Sequence, residues 1–306
     1  MSVCWMCGKS ITEENKSYEH IFLNAIGGVL KSDRLLCKIC NNKFGDSIDS
    51  SLAKALNLFA NFLDIKRSDG KNPPPIDGVN ELGEEYILRH GAKPEMKKPK
   101  IDDQGNIHAR NKKEAQTMLR KFSNIDLNKS PEIIEHRSER INEFRSNKVK
   151  LEDEYTLSAI CKMAVNFYML HDGDRDNIIN LIPYIKNNQT TKIIGFYYDH
   201  EVILKKSDQI VHGIILKSDS KNHILYAYIE FFNTVRYIVV LNDDYKCADL
   251  EIHYFFDVLE RKEVCLDYHL SLSLTRITEL LSEENPPYEA IQYKICQFFN
   301  LLKGSV

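Results

Sequence analysis

The sequence predicts an α+β chain in which a short cysteine-rich N-terminal module precedes a larger domain of antiparallel strands and helices. Three observations support this fold class. Four of the eight cysteines lie in the first 40 residues. Apolar residues recur at helical spacing through residues 154–170. From residue 192 onward the pattern changes to short apolar runs typical of strands, separated by turn-forming residues.

Length and composition are those of an ordinary globular protein. The 306 residues are enough for about two domains, and 43% hydrophobic with 28% charged residues is a common balance. No segment approaches the ~18 continuous apolar residues of a membrane span, and the first residues lack the basic-then-apolar pattern of a secretory signal. We therefore expect a cytoplasmic protein that does not enter a membrane.

Charge is distributed unevenly along the chain. Residues 86–150 hold 16 Lys/Arg against 9 Asp/Glu, a net charge of +7. The preceding 85 residues carry -2 (10 against 12), and residues 151–306 carry -8 (15 against 23). A basic middle segment suggests a face that contacts a polyanion. The alternative is a solvated helical surface with no partner. The predicted organisation is a module at residues 1–65, a linker and basic mixed segment at 66–150, and an α+β domain at 151–306.

Two Cys-x-x-Cys pairs define the N-terminal module. Cys4 and Cys7 form the first pair, and Cys37 and Cys40 form the second. Disulfides are rare in a cytosolic chain, and two residues between thiols let both sulfurs face one ion, so the two pairs predict a tetrahedral, structural Zn²⁺ site. A redox Cys-x-x-Cys is the competing interpretation, but it predicts a single pair beside a βαβ pattern. The four scattered cysteines are interpreted as small buried hydrophobes.

The segment between and after the pairs predicts a strand, a turn, a second strand and a helix. Tyr18 to Phe22 has the character of a short strand, and Gly27-Gly28 that of a turn. Arg34 to Leu36 leads into the second cysteine pair, and a helix is predicted from near Asn41 to about Leu63. A module this small has little core of its own, so a bound metal would supply much of its folding energy.

These residues resemble a known family. Glu19-His20-Ile21, the Gly27-Gly28 turn and Cys37-Lys38-Ile39-Cys40-Asn41-Asn42 occur in the order found in HNH endonucleases. The resemblance covers about residues 4–50 and is greatest to the branch whose ββα-metal core is flanked by two Cys-x-x-Cys pairs. It implies a metal-dependent nuclease that cuts nucleic acid, with double-stranded DNA as the expected substrate, and suggests a role in prokaryotic defence.

The resemblance also assigns roles to three residues. His20 stands at the position of the general base that takes a proton from water, and imidazole titrates near neutrality, as this role requires. Glu19 and Asn41 stand at the two positions that bind the catalytic divalent metal. One carboxylate and one amide oxygen form a sparse set of hard donors suited to Mg²⁺ or Mn²⁺. The expected products are a 3′-hydroxyl and a 5′-phosphate.

Two departures from the family pattern keep a rival hypothesis open. The family usually has an Asn in its second strand that braces the loop holding the base, whereas this chain has Ser32, followed by Asp33. The Pro common shortly after the His is also missing, and Asn24 is a candidate substitute for the bracing Asn. The rival is a non-catalytic, zinc-dependent module that binds nucleic acid or protein.

The basic middle segment supplies candidate phosphate contacts. Lys97, Lys98, Lys112 and Lys113 are predicted to bind nucleic acid through salt-dependent contacts that do not depend on base sequence. Asp64 to Gly83, rich in turn formers, is predicted to be a linker, and Pro131 to Phe144 a helix.

The C-terminal half is predicted to be a sheet flanked by helices, without catalytic chemistry. Helices are expected at Glu154 to Leu170, Asn177 to Ile185 and Tyr288 to Leu302. Strands are expected at Lys192 to Tyr198, Val211 to Leu216, Ile224 to Phe231, Arg236 to Leu241 and Leu250 to Phe256. His212, His223 and His253 lack a ligand-like spacing and are interpreted as structural. By elimination, this half recognises a regulatory partner protein or ligand, or a form of nucleic acid.

Overall fold

The computed structural model describes residues 2–121, 133–135, 143–146, 150–186, 191–206, 208–284 and 286–304. Helices and antiparallel sheets are both present, which confirms the predicted α+β class. The chain forms two compact units, one of residues 1–55 together with 150–306 and one of residues 56–149. The sequence predicted three segments instead, at residues 1–65, 66–150 and 151–306. Whether these segments fold independently stays a prediction.

The N-terminal module has the predicted order of strand, strand and helix. Its elements are β1 (Glu19–His20), β2 (Lys31–Ser32), α1 (Lys38–Gly45) and α2 (Ile48–Ala55). The strands are antiparallel, with Glu19 opposite Ser32 and His20 opposite Lys31. The second strand contains Ser32, the residue expected in it, and Arg34 to Leu36 follows this strand and leads into the second cysteine pair.

The predicted single helix from Asn41 to Leu63 is also wrong, because the chain turns twice in this region. After α1, the Ser47 hydroxyl donates to the Lys43 carbonyl, and the Ser47 amide donates to Phe44 three residues back. Both bonds replace regular helical pairing and end the helix. A second break follows at Leu56, whose backbone lies at φ -98° and ψ 3°, before the next helix begins in the other unit.

In its described residues, the second unit contains one short helix at its start, a longer helix and seven strands. In chain order these are α3 (Asn57–Phe62), β3 (Ile76–Asn80), β4 (Glu85–Arg89), β5 (Lys93–Met96), β6 (Lys100–Ile101), β7 (Ile107–Ala109), α4 (Lys112–Lys121), β8 (Ile133–Glu135) and β9 (Phe144–Ser146). They form a sheet in the order β5-β4-β3-β9 and another in the order β6-β7-β8.

Two predictions for this unit are corrected. The supposed linker from Asp64 to Gly83 contains β3, which pairs with β4 and β9. Within the supposed helix from Pro131 to Phe144, residues 133–135 form β8, paired in parallel with β7. The β-branched pair Ile133-Ile134 favours a strand. Most of the remaining predicted helix lies outside the described residues.

The C-terminal half of the first unit follows the prediction closely. Its elements are α5 (Glu154–Leu170), α6 (Leu181–Ile185), β10 (Ile194–Phe196), β11 (Val211–Asp219), β12 (Ile224–Phe231), β13 (Val235–Asn242), β14 (Glu251–Asp257), β15 (Lys262–Glu263), α7 (Leu274–Ser282) and α8 (Tyr288–Gly304). The six strands form one antiparallel sheet in the order β10-β13-β12-β11-β14-β15. The predicted helix from Asn177 is shorter than expected because Pro183 cannot continue it toward the N-terminus.

Helix α5 connects the N-terminal module to this sheet. Asp153 caps its first turn by accepting a hydrogen bond from the Tyr155 amide. Most of its side chains are buried, and it contacts α2 as well as β11 and β13. Among the described residues, no helix combines the length and the apolar character that crossing a membrane requires.

Candidate functional site

The two cysteine pairs come together in space and form what we call the cysteine cluster (Cys4, Cys7, Cys37 and Cys40). All four sulfurs lie within 4.8 Å of one another, and the Sγ atoms of Cys7 and Cys37 are 3.8 Å apart. A tetrahedral ion with metal–sulfur bonds of about 2.3 Å places its sulfurs about 3.8 Å apart. The cluster therefore has the donors and the spacing of a closed metal site.

Local backbone structure explains this convergence. The first pair lies on a tight turn closed by hydrogen bonds from the Cys4 amide to the Lys9 carbonyl and from the Gly8 amide to the Cys4 carbonyl. Gly8 has φ +74°, a conformation that favours glycine. The second pair is presented by a helix, since Cys37 is the N-cap of α1. Of the other four cysteines only Cys161 is buried, so the interpretation of all four as buried hydrophobes was wrong.

The Gly27-Gly28 turn packs against the end of the first strand. Gly27 adopts the left-handed conformation, with φ 96°. A Cβ atom on Gly28 would lie 1.9 Å from the Phe22 carbonyl oxygen, so the chain can pass here only without a side chain. This close approach fixes the path of the chain between β1 and β2, and with it the position of His20.

His20 is half-buried and has an unengaged imidazole. Within the described part of the chain, neither of its ring nitrogens has a hydrogen-bond partner, and both are therefore available to a water molecule. Burial lowers the pKa of His20 below the ordinary value, and the positive charges of Lys31 and Lys162 lower it further. A neutral imidazole is the form that can accept a proton.

Glu19, the neighbour of His20 in β1, faces the interior. It is only 3% exposed, as expected if successive residues of a strand point to opposite sides. Its Oε1 atom accepts hydrogen bonds from Lys162 Nζ at 2.6 Å and from Asn166 Nδ2 at 2.8 Å. No residue that the structure describes donates a hydrogen bond to Oε2, which leaves this oxygen available to another ligand.

Glu19 belongs to what we call the carboxylate–lysine cluster (Glu19, Asp49 and Lys162). Lys162 is completely buried, and its Nζ atom also lies 2.7 Å from Asp49 Oδ2. Burial disfavours the charged amine, but the carboxylates of Asp49 and Glu19 raise the pKa of Lys162 above its usual value. Burial also raises the pKa of Glu19, against the opposing effect of the ammonium. Asp49 Oδ1 is buried without a hydrogen-bond partner among the described residues.

Sequence reasoning did not identify Lys162 or Asn166 as functional candidates. The available signal was their occurrence four residues apart in a helix whose flanking positions are apolar. A charged and an amide side chain on one buried helix face require a polar partner. Nothing in the sequence, however, indicates that this partner is Glu19, 143 residues before Lys162.

Asn41 lies on α1 and contacts the chain just before β1. Its Nδ2 atom donates to Ser17 Oγ at 2.9 Å and to the Tyr18 carbonyl at 3.0 Å. In the described residues no group donates to its Oδ1 atom. Asn41 therefore ties the helix to the strand that carries Glu19 and His20, and keeps one oxygen available.

Ser32, which was predicted to stand at the position of a bracing Asn, stabilises its own turn. It is 8% exposed, and its Oγ atom accepts a hydrogen bond from the Arg34 amide at 3.2 Å. It is paired with Glu19 in the ladder between β1 and β2. The side chain thus braces the second strand close to the site, without a hydrogen bond to His20 among the residues described.

The four candidate nucleic-acid lysines fall into two groups. Lys97 is paired with Asp77 at 3.2 Å, and Lys98 with Glu85 at 2.5 Å. Lys112 and Lys113 are exposed at the start of α4 and form no ion pair within the described part of the molecule.

His212 is buried in the sheet domain and contacts the N-terminal module. Its Nε2 atom is 2.9 Å from the Ile26 carbonyl, and its Nδ1 atom accepts from the Phe232 amide at 3.3 Å. The ring stacks on Phe22 at a centroid distance of 5.0 Å. Burial lowers the pKa of His212 to about 4. The neutral ring uses one donor and one acceptor, which is the structural role that the sequence predicted.

Comparison with known proteins agrees with the N-terminal geometry. The family model described as HNH endonuclease matches residues 4–57, which confirms the predicted resemblance for this segment. Searches of curated proteins and of solved structures gave no match. The matched segment includes the cysteine cluster, His20, Glu19 and Asn41.

Proposed function

We propose that this chain is a metal-dependent endonuclease that hydrolyses phosphodiester bonds of double-stranded DNA. The observation that supports this proposal most strongly is the half-buried imidazole of His20, which has no hydrogen-bond partner among the described residues. It lies on the β1–β2 hairpin within the segment matched by the HNH model. Its lowered pKa keeps it ready to take a proton at neutral pH.

In this mechanism His20 removes a proton from the water that attacks the phosphorus atom. Glu19 Oε2 and Asn41 Oδ1 each lack a hydrogen-bond partner among the described residues, and these two oxygens would hold the catalytic cation. Mg²⁺ or Mn²⁺, when bound, would stabilise the charge on the phosphate and on the leaving oxygen. The products would be a 3′-hydroxyl and a 5′-phosphate.

A structural Zn²⁺ in the cysteine cluster is the second part of the proposal. Four thiolates satisfy a tetrahedral ion and leave no position for water, so this ion would fold the module without taking part in the chemistry. Metal analysis is expected to find one zinc per chain, and a chelator is expected to unfold the module. A fully folded, zinc-free protein would contradict this assignment.

Substrate binding is assigned to exposed basic side chains. Lys112 and Lys113 are the favoured phosphate contacts because they lack ion-pair partners within the described residues, while Lys97 and Lys98 would have to leave theirs.

A regulatory partner or ligand for residues 151–306 is a further part of the proposal. So are a cytoplasmic location, consistent with four reduced thiols, and a role in prokaryotic defence.

The test is a nicking assay on supercoiled plasmid with the full-length, zinc-loaded protein. Wild type should nick the plasmid in Mg²⁺ or Mn²⁺ but not in excess chelator, and His20→Ala should lose most of this activity. Circular and linear RNA serve as alternative substrates. Equal cleavage by wild type and His20→Ala would show that the activity belongs to a contaminant or to another site.

The rival function is a zinc-dependent binding module without cleavage. One observation favours it: the ammonium of Lys162 already satisfies Oε1 of Glu19. The absence of cleavage by wild type on DNA and on RNA, together with retained nucleic-acid binding, would favour this rival.

A further inference from the structure

We infer that Lys162 and Asn166 of α5 are positioning residues of the catalytic metal site, which hold Glu19 so that its Oε2 atom is presented to the cation. This inference rests on the proposed function. It assigns part of the nuclease centre to the C-terminal half of the chain, more than 100 residues beyond the HNH segment.

Lys162 and Asn166 are four residues apart on one helix, so their side chains leave α5 on the same face. Both donate to the same oxygen of Glu19, at 2.6 and 2.8 Å. Two donors on Oε1 fix the plane of a carboxylate whose side chain is only 4% exposed, and the direction of Oε2 follows from that plane.

Asn166 is itself anchored by a hydrogen bond from the N-terminal module. Its Oδ1 atom accepts a hydrogen bond from Trp5 Nε1 at 2.9 Å. Trp5 lies between Cys4 and Cys7 in the first turn of the cysteine cluster. Hydrogen bonds therefore connect Trp5 through Asn166 to Glu19, and Trp5 is part of the same turn as Cys4 and Cys7. Such an arrangement is expected where outer residues orient a metal ligand.

The charge of the carboxylate–lysine cluster also favours a bound cation. Two carboxylates and one ammonium give the carboxylate–lysine cluster a net charge of -1 when all three groups are ionised. The ammonium offsets the electrostatic repulsion between the buried carboxylates of Glu19 and Asp49. One negative charge still remains to attract a divalent cation, and Asp49 Oδ1 is left without a hydrogen-bond partner among the described residues.

The experiment measures Mn²⁺ binding to the zinc-loaded, full-length protein from the electron paramagnetic resonance signal of free Mn²⁺. Glu19→Gln identifies the site, because Mn²⁺ held by Glu19 should be lost in this variant. Asn166→Leu is the main test, since it removes one donor to Glu19 without changing size or charge greatly. We expect its Kd for Mn²⁺ to rise about ten- to a hundredfold. Lys162→Met is a supplementary variant, because it is expected to be poorly stable.

Ser158→Ala is the matched control. Ser158 is also buried on α5, but its hydroxyl donates to the Tyr184 carbonyl at 3.1 Å. A general weakening of α5 would affect both variants, whereas a positioning role predicts that Ser158→Ala keeps its Mn²⁺ affinity within about twofold of wild type. A wild-type Kd in folded Asn166→Leu would overturn the inference alone. If wild type binds no Mn²⁺, or if Glu19→Gln binds as much Mn²⁺ as wild type, the metal site of the proposed function fails as well.

Discussion

Replacing Lys162 by methionine should destabilise the protein more than almost any other single substitution of a lysine in this chain. The side chain of Lys162 is 0% exposed, and its two carboxylate partners, Glu19 and Asp49, are 4% and 13% exposed at the side chain. Methionine fills a similar volume but leaves both carboxylates without a cation. Removing one partner of a buried ion pair costs about 3–5 kcal/mol, a large part of the total stability of a typical domain.

The free energy of unfolding can be measured by urea titration of the zinc-loaded protein. Trp5 is the only tryptophan and is completely buried beside Asn166, so its fluorescence reports on this region. Lys54→Met, which changes an exposed lysine of α2, is the control and should shift stability by no more than about 0.5 kcal/mol.

A second variant tests the electrostatic explanation. Adding Asp49→Asn to Lys162→Met removes one of the two uncompensated charges, and should recover about 1 kcal/mol or more. If the free energy of unfolding of Lys162→Met is instead within about 1 kcal/mol of the wild-type value, the buried ion pairs do not hold the N-terminal module against α5, and the reasoning is refuted.

Three further predictions concern other parts of the molecule. Gly28→Ala should destabilise the protein by roughly 3 kcal/mol, because the new methyl group would meet the Phe22 carbonyl oxygen at 1.9 Å; urea unfolding would detect it, and a change under 0.5 kcal/mol would contradict it. Because the pKa of His212 is lowered to about 4, His212 becomes protonated in the unfolded state first as the pH falls below about 6.5. The free energy of unfolding should therefore fall by about 3 kcal/mol between pH 6.5 and pH 4. Urea titrations at several pH values would measure this decrease, which should be absent in His212→Gln. Reversing the charge of Lys112 and Lys113 should weaken DNA binding and lower the slope of log K against log salt by about 2, whereas an unchanged slope would exclude these contacts.

The short-range features of this protein could be predicted from the sequence. Two residues between paired cysteines determine which thiols share a turn, so the cysteine cluster follows once both pairs meet. Helix α5 and strand β12 have the predicted bounds because their patterns are long and regular. The helix after the second pair was mispredicted, since its apolar period continues through a region where the Ser47 side chain replaces helical bonding.

The long-range contacts of the site could not be predicted in the same way. Lys162 and Asn166 acquire their role only when α5 packs beside β1, and no local propensity encodes that docking. The sequence around Glu19 is equally compatible with an exposed carboxylate and with one buried beside a cationic side chain. The choice depends on tertiary packing, which places it at 3% exposure.

The central claim is that the imidazole of His20 takes a proton from water during phosphodiester cleavage. Chemical rescue tests it most directly: single-turnover cleavage of DNA is measured for wild type and His20→Ala, with and without added imidazole, at constant Mg²⁺ and pH. We predict that His20→Ala is slowed by at least about a hundredfold, and that imidazole restores part of the rate in this variant but not in wild type. Cleavage by His20→Ala at the wild-type rate would contradict the claim.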